Sequence, residues 1–184
     1  MSAILPPAER LWYKHPIDRV EGMWIGIALT WCLIMFFMMV GWHVWGKQNL
    51  STETYRTTPD QFMPKVQAMV DKYTVRTETD EKIPVVAPPP GSDVYLLARL
   101  WAFYPILELE NGKTYRLHLT SMDYNHGFSL QPENINIQLH PGYEHIVTLT
   151  PTKEGTYSII CNEYCGINHH TMASKLFVVK PKKG

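Results

Sequence analysis

The feature that most constrains this chain is a charge-free apolar run of 25 residues, from Gly22 to Gly46. About 20 such residues suffice to cross the hydrocarbon core of a bilayer as a helix. Trp24 stands near one end of the run, and Trp42 and Trp45 stand near the other, where aromatic rings favour the membrane interface. The run therefore predicts an N-terminal membrane anchor with its span at about residues 22–46.

Two alternatives fit the run less well. A buried core helix rarely extends this far without a charge, and a cleaved signal peptide has a shorter apolar core and a small-residue cleavage site after it. The flanking basic residues are balanced, since Arg10, Lys14 and Arg19 precede the run and Lys47, Arg56 and Lys65 follow it. The positive-inside rule therefore does not decide the orientation.

Residues 47–93 predict a connecting segment between the anchor and a globular domain at 94–184. Thr58 and Pro59 are typical of a helix start. Apolar residues recur at helical spacing as far as Tyr73, and Pro64 favours a short or kinked helix. Residues 74–93 are first charged and then proline-rich, which predicts a stiff linker.

From Val94 onward, short strand-like runs are separated by turn signals such as Asn111-Gly112. The predicted strands are Tyr95–Phe103, Thr114–Ser121, Phe128–Gln131, Ile135–Leu139, His145–Thr150, Thr156–Cys161 and Lys175–Lys180. Short strands without a long helix between them favour an all-β Greek-key sandwich or small barrel. The formal net charge of zero gives no basic surface for a nucleic acid, so no such partner is expected.

A cluster of metal-ligand residue types lies between the last two predicted strands, in the segment CNEYCGINHHTM at 161–172. A soft donor set that suits copper is formed by Cys161, Cys165, His169 and Met172. A mononuclear blue-copper site uses one cysteine, two histidines and a methionine. With His126 as the second imidazole, one thiolate remains, and this surplus predicts two copper ions bridged by both sulfurs.

Other interpretations of the cluster are a zinc Cys2His2 site, which leaves Met172 without a role, and a disulfide between Cys161 and Cys165. His170 is expected to be a solvated neighbour of His169. The remaining histidines of the C-terminal half are expected to be surface or strand residues: His118, His140 and His145.

The chain resembles the binuclear copper (CuA) domain of cytochrome c oxidase subunit II in IICNEYCGINHHTM and NHGFSL…NINIQLHPG, and the resemblance extends from Val94 to the end. It implies a cupredoxin fold. The implied copper ligands are Cys161 and Cys165 as bridges, His126 and His169 as terminal imidazoles, Met172 as a weak ligand on one copper, and the backbone carbonyl of Glu163 on the other.

The single helix and the stretch YLLARLWAFYP are most similar to the B-type (ba-type) haem–copper oxidases. By position, Trp101 and Phe103 are candidates for the aromatic surface through which electrons enter, and the alternative is that they are core residues of the first strand. In such oxidases a glutamate before the helix serves the proton-uptake channel of subunit I. Glu21 is its counterpart here, unless it is an ordinary interfacial charge.

The resemblance implies an electron-accepting subunit of a terminal oxidase in a bacterial or archaeal plasma membrane, with a single pass and the copper domain on the periplasmic or extracellular side. It would take electrons from cytochrome c or a small copper protein and pass them to haems held only in the partner, subunit I. Alternatives are the CuA subunit of a nitric oxide reductase and a non-catalytic copper-binding or delivery protein. The complete ligand set argues against the delivery protein.

Overall fold

The apolar run forms one long helix, α1, over Arg19–Trp45. Asp18 caps it, since its Oδ1 accepts a hydrogen bond of 2.7 Å from the amide of Glu21. By length and composition α1 can cross a membrane, and none of its residues is buried. The structure is a computed structural model that describes residues 16–46, 52–78 and 82–181. The flanking residues Arg10, Lys14 and Lys47 lie outside this range.

The chain divides into two units, Met1–Gln48 and Asn49–Gly184. The second unit contains one α-helix, α2, over Pro59–Tyr73. Its strands among the described residues are β1 (Thr52–Arg56), β2 (Thr74–Glu78), β3 (Ile83–Val86), β4 (Asp93–Arg99), β5 (Ala102–Tyr104), β6 (Ile106–Glu110), β7 (Tyr115–Ser121), β8 (His126–Leu130), β9 (Ile135–Leu139), β10 (Tyr143–Leu149), β11 (Gly155–Ile160) and β12 (Ala173–Val179).

These strands form two mixed sheets. The smaller sheet has the order β1-β10-β7-β4-β5, and the larger has the order β2-β3-β6-β12-β11-β8-β9. Parallel pairing occurs between β4 and β7, between β3 and β6, and between β6 and β12. The all-β cupredoxin-like sandwich with one N-terminal helix, predicted from the sequence, is confirmed.

The core of the second unit is built from side chains of both sheets. Phe103 of β5 meets Phe128 of β8 with ring centroids 5.9 Å apart in an edge-to-face arrangement. The helix α2 adds a face of four buried residues, Phe62, Val66, Met69 and Val70, and it packs on β4 and also on β2 and β3. This packing keeps α2 helical through Pro64, so the helix is 15 residues long.

The prediction of a stiff linker over 74–93 is wrong. The described part of this segment supplies β2 and β3, and β3 pairs in parallel with β6. Val85 and Val86 of β3 are fully buried, so apolar burial draws the segment into the larger sheet despite its charged and proline-rich flanks.

The prediction of one continuous strand over Tyr95–Phe103 is also wrong. The chain reverses at Leu100–Trp101, and β4 pairs antiparallel with β5, with Ala98 opposite Phe103. This segment contains no glycine, asparagine or proline to signal a turn. A distant residue holds the reversal instead, because the amide of Leu100 donates a hydrogen bond of 2.8 Å to Asp123 Oδ2.

Candidate metal centre

The predicted ligands of the C-terminal cluster lie on the loop that joins β11 to β12. Cys161 follows the last residue of β11, and Met172 precedes the first residue of β12. The amide of Cys161 donates a hydrogen bond of 3.1 Å to the carbonyl of Met172, which continues the pairing of these two strands by one step. His169 lies at the start of a short 3₁₀ turn, His169–Thr171. The ladder of the larger sheet therefore fixes both ends of the ligand loop.

His126 reaches the same place from another part of the chain. It is the first residue of β8, and β8 pairs with β11, where Ser129 lies opposite Ile160. The following residue, Gly127, allows a close approach between β8 and the ligand loop. A Cβ atom at Gly127 would lie 2.8 Å from the amide nitrogens of both Asn162 and Glu163, so β8 and the loop meet without room for a side chain.

The donor atoms form an almost continuous row. His126 Nδ1 lies 3.9 Å from Cys161 Sγ, the two cysteine sulfurs are 3.8 Å apart, and Cys165 Sγ lies 3.6 Å from His169 Nδ1. A weaker donor flanks each sulfur. The carbonyl of Glu163 is 3.2 Å from Cys161 Sγ, and Met172 Sδ is 3.7 Å from Cys165 Sγ. The structure thus brings together all six atoms that the sequence predicted as ligands.

Most of this row is shielded from solvent. His126, Met172 and both cysteines are buried, with exposed fractions between 0 and 5 %. His169 is partly exposed, and its neighbour His170 is exposed, which confirms the prediction that His170 is a solvated neighbour. The cluster therefore has a closed side at His126 and an open side at His169.

Burial and the hydrogen bond with Cys161 raise the pKa of the Cys165 thiol from 9.0 to about 11. A thiol must lose its proton to bind a metal ion, so binding at this site releases protons. Neither cysteine forms a disulfide. Two thiols, two imidazoles and a thioether in one largely buried row fit copper, whose preference is for soft sulfur and nitrogen donors.

This chain is similar to known proteins over much of its length. The family described as cytochrome C oxidase subunit II, periplasmic domain, matches residues 104–179. A cytochrome c oxidase subunit 2 of Thermus thermophilus is 32% identical over 163 residues, which cover 86% of this chain and 90% of that protein. This chain belongs to the cytochrome c oxidase subunit 2 family. The family predicted by the resemblance is therefore confirmed.

Further similar proteins include another Thermus thermophilus cytochrome c oxidase subunit 2, which is 37% identical over 114 residues, or 59% of this chain and 84% of that protein. A chain from a cryo-electron microscopy structure of a heme-copper terminal oxidase dimer is 22% identical and has a TM-score of 0.54. That likeness covers 88% of this chain and all of the other, and it shows a shared fold.

As a member of the cytochrome c oxidase subunit 2 family, this chain is part of a haem–copper oxidase, which is an oxidoreductase complex. Such a complex implies subunit I as a partner. The family and the one helix suited to a bilayer, found among the described residues, indicate a single-pass membrane anchor.

The two aromatic residues predicted to form the electron-entry surface differ in their exposure to solvent. Phe103 is 1% exposed and packs on Phe128, so its prediction as part of an exposed aromatic surface is wrong and the alternative of a core residue is confirmed. Trp101 is partly exposed, and its indole Nε1 donates a hydrogen bond of 3.3 Å to the carbonyl of Cys165. Glu21 lies in the first turn of α1.

One polar contact of the cluster was not predicted from the sequence. Asp123 Oδ1 lies 2.7 Å from His126 Nε2, on the side of the ring away from the sulfurs. The available signal was an aspartate three residues before a predicted histidine ligand, because ligating histidines usually bond a carboxylate or carbonyl through their second nitrogen.

Proposed function

We propose that this chain is the electron-accepting subunit of a haem–copper terminal oxidase, and that its donor cluster holds a binuclear CuA copper pair. The observation that carries the proposal is the division of the donors into two like halves. His126 and the Glu163 carbonyl flank Cys161, while His169 and Met172 flank Cys165. Each half offers one imidazole and one weak donor, and the two sulfurs lie between them.

When bound, the copper pair supplies a one-electron carrier whose charge is spread over two metals and two sulfurs. The protein's own contribution is a rigid and dry setting. His126 and Met172 exclude water from the inner side of the cluster, at 0 and 1 % exposure, and the paired strands β11 and β12 hold the loop ends. Ligands that move little between oxidation states favour rapid electron transfer.

The open side of the cluster suits the docking of an electron donor. A groove of about 370 Å³ is lined by Leu100, Trp101, Tyr124, Tyr164, Cys165 and Gly166. Tyr164 and Ile167 beside it are 81 and 79 % exposed. A soluble donor such as cytochrome c or a small copper protein docks here, chiefly by apolar contact because the chain has no net charge. Trp101 lies between this surface and Cys165.

The partner is the haem-bearing subunit I, which receives the electrons and reduces oxygen. The copper domain lies on the periplasmic or extracellular side of a bacterial or archaeal plasma membrane, in keeping with the description of the matching family as a periplasmic domain. At the start of α1, Glu21 serves the proton-uptake channel of subunit I. Proton pumping by a complex that carries Glu21→Gln tests this role, since an interfacial charge predicts no loss.

The copper pair is tested on the full-length chain, purified in detergent without metal and then titrated with copper. We expect two copper ions per chain and a seven-line electron-spin resonance pattern, because one unpaired electron is shared by two equivalent copper nuclei. A four-line blue-copper pattern or a preference for zinc would contradict the proposal.

Gas uptake by the complex with its partner subunit then tests the terminal acceptor. We expect oxygen consumption driven by a reduced donor. Consumption of nitric oxide instead of oxygen would establish the nitric oxide reductase alternative.

A further inference from the structure

We propose that Asp123 is a positioning residue for the metal centre, an inference that rests on the proposed function. Its carboxylate fixes the imidazole of His126 with Nδ1 toward the sulfurs. The same carboxylate accepts a hydrogen bond from Leu100 and so holds the turn at Leu100–Trp101. Trp101 of this turn contacts the ligand loop at Cys165. The side chain of Asp123, which is not itself a ligand, thereby links the half of the cluster at His126 with the half at Cys165.

The contact with Asp123 determines the tautomer of His126. A carboxylate only accepts hydrogen bonds, so the 2.7 Å contact between Asp123 Oδ1 and His126 Nε2 assigns the ring proton to Nε2. Nδ1 then keeps its lone pair and faces Cys161 Sγ at 3.9 Å. Because His126 is fully buried, no water competes for Nε2, and the ring is held ready for a metal ion.

Asp123 is itself held in place by backbone amides. Its Oδ1 also accepts a hydrogen bond of 2.7 Å from the amide of Tyr124, and its Oδ2 accepts one of 2.8 Å from the amide of Leu100. The preceding residue, Met122, donates its amide to the carbonyl of Ala98 at 2.9 Å. With both oxygens occupied and the backbone anchored on β4, the carboxylate has a fixed position from which to orient His126.

Asp123 is also connected to the other half of the site. The turn held by Asp123 carries Trp101, whose indole Nε1 donates to the carbonyl of Cys165 at 3.3 Å. The ring lies against Gly166, where an added Cβ would be 3.4 Å from Nε1. Loss of the carboxylate is therefore expected to affect His126 directly and the Cys165 loop through Trp101.

The first test uses the metal-free full chain in detergent with ¹⁵N-labelled histidine. Long-range proton–nitrogen correlation spectra distinguish the two ring nitrogens, and His126→Gln identifies the signal of His126 by its absence. We expect the Nε2–H tautomer in the unmodified chain and a mixture of tautomers in Asp123→Ala. An Nδ1–H tautomer in the unmodified chain overturns the proposal without the need for any variant at Asp123 to fold.

The second test measures copper affinity and the spectrum of the copper-loaded chain. Loss of a carboxylate behind a histidine ligand lowers metal affinity by about ten- to hundredfold, and we expect this loss in Asp123→Ala. Asp123→Asn is expected to fall between, because one amide oxygen cannot accept from both His126 and Leu100. Both variants should also shift the reduction potential, which a merely structural role would leave unchanged.

Asp71→Asn is the matched control, since it removes an exposed carboxylate on α2 whose hydrogen bond is to Gln67 of the same helix. Its copper affinity and tautomer should equal those of the unmodified chain. If the Asp123 variants also stay within about threefold of the unmodified chain, with unchanged tautomer and potential, the proposal is wrong. If the unmodified chain binds no copper pair, the proposed function is wrong, while the metal-free tautomer result still stands on its own.

Discussion

Two clusters with buried polar side chains can be compared in the described part of the second unit. They differ in the partners that their polar atoms contact. One is the row of donors around Cys161 and Cys165. The other, the charge cluster, joins His118 and Glu144 on neighbouring strands of the smaller sheet with Lys65 of α2 and Asp93 of β4. Both contain buried groups able to bind a metal ion, so residue type alone does not separate them.

In the charge cluster, one carboxylate lies between a histidine and a lysine. Glu144 Oε1 lies 2.5 Å from His118 Nδ1, and its Oε2 lies 3.3 Å from Lys65 Nζ. His118 Nε2 lies 3.1 Å from Asp93 Oδ1, at ion-pair distance but without hydrogen-bond geometry. In the donor row, by contrast, each sulfur lies within 4 Å of three other donors to a metal. A buried cluster is therefore suited to bind an ion when its members have affinity for a common ion rather than for each other.

The largest effect is expected on the donor row. Cys165→Ser replaces a soft sulfur, one of the two proposed bridges, by a hard hydroxyl, so binding of a copper pair and its seven-line spectrum should be lost completely. The free energy of unfolding of the metal-free chain should fall by about 1–3 kcal/mol, because a hydroxyl is more costly to bury than a thiol. Copper titration with electron-spin resonance measures the first quantity, and denaturant unfolding measures the second.

Cys32→Ser supplies the control for this change, because Cys32 is an exposed cysteine of α1. It should keep full copper binding. A copper pair retained in Cys165→Ser would contradict the bridging role.

The charge cluster should respond in the opposite way. Glu144→Ala leaves the buried His118 Nδ1 without its partner, and breaking a buried pair costs about 3 kcal/mol. Copper binding should not change. Urea unfolding of the metal-free chain tests this, with Glu53→Ala as the control, since its pair with Arg116 is half exposed on both sides and contributes at most about 1 kcal/mol. Equal losses in the two variants would show that burial does not govern the charge cluster.

A smaller effect is expected from Gly127→Ala. The new methyl group would press on the backbone of Asn162 and Glu163, so the ligand loop must move away from β8. Overpacking of this kind costs about 1–3 kcal/mol, and the copper spectrum should change with it.

Gly112→Ala is the comparison for that change, because Gly112 has the opposite restriction: its backbone is left-handed, with φ +69°, but the space around its Cβ direction is open. It should lose stability without altering the spectrum. An unchanged spectrum in Gly127→Ala would mean that the loop absorbs the displacement away from the ligands.

The smallest effect concerns His145, which belongs to neither cluster. Burial, and then the charge of His140, lower the pKa of His145 below 6.5. The unfolded chain therefore takes up a proton near pH 6.5 that the folded chain does not, and the free energy of unfolding falls as the pH drops below that value. His145→Asn should reduce this fall by less than about 1 kcal/mol. Unfolding curves between about pH 5 and 7 measure it, and an unchanged pH dependence would contradict the assignment.

The sequence predicts this site well where the ligands follow from local spacing. Cys161, Cys165, His169 and Met172 lie on one loop, so their proximity depends only on the two strands beside it. The apolar α1 and most strands of the C-terminal half follow from period and turn signals in the same way.

Features that depend on distant contacts were not predicted. The reversal at Leu100 is held by Asp123, 23 residues later in the chain, and β3 joins the larger sheet through a parallel pairing with β6. Phe103 was a candidate for the aromatic surface by its position in the family resemblance, whereas the structure places it in the core, on the second strand of the β4–β5 hairpin. Local propensity contains no information about such partners.

The hydrogen bond between the Cys161 amide and the Met172 carbonyl has a thermodynamic consequence. It closes the ligand loop into a ring, so the conformational entropy of bringing its ends together is lost when the protein folds and not when metal arrives. Metal binding then stabilises the folded state by simple mass action, through the ratio of free copper to its dissociation constant. Loading and loss of the metal can accordingly proceed on a chain that is already folded.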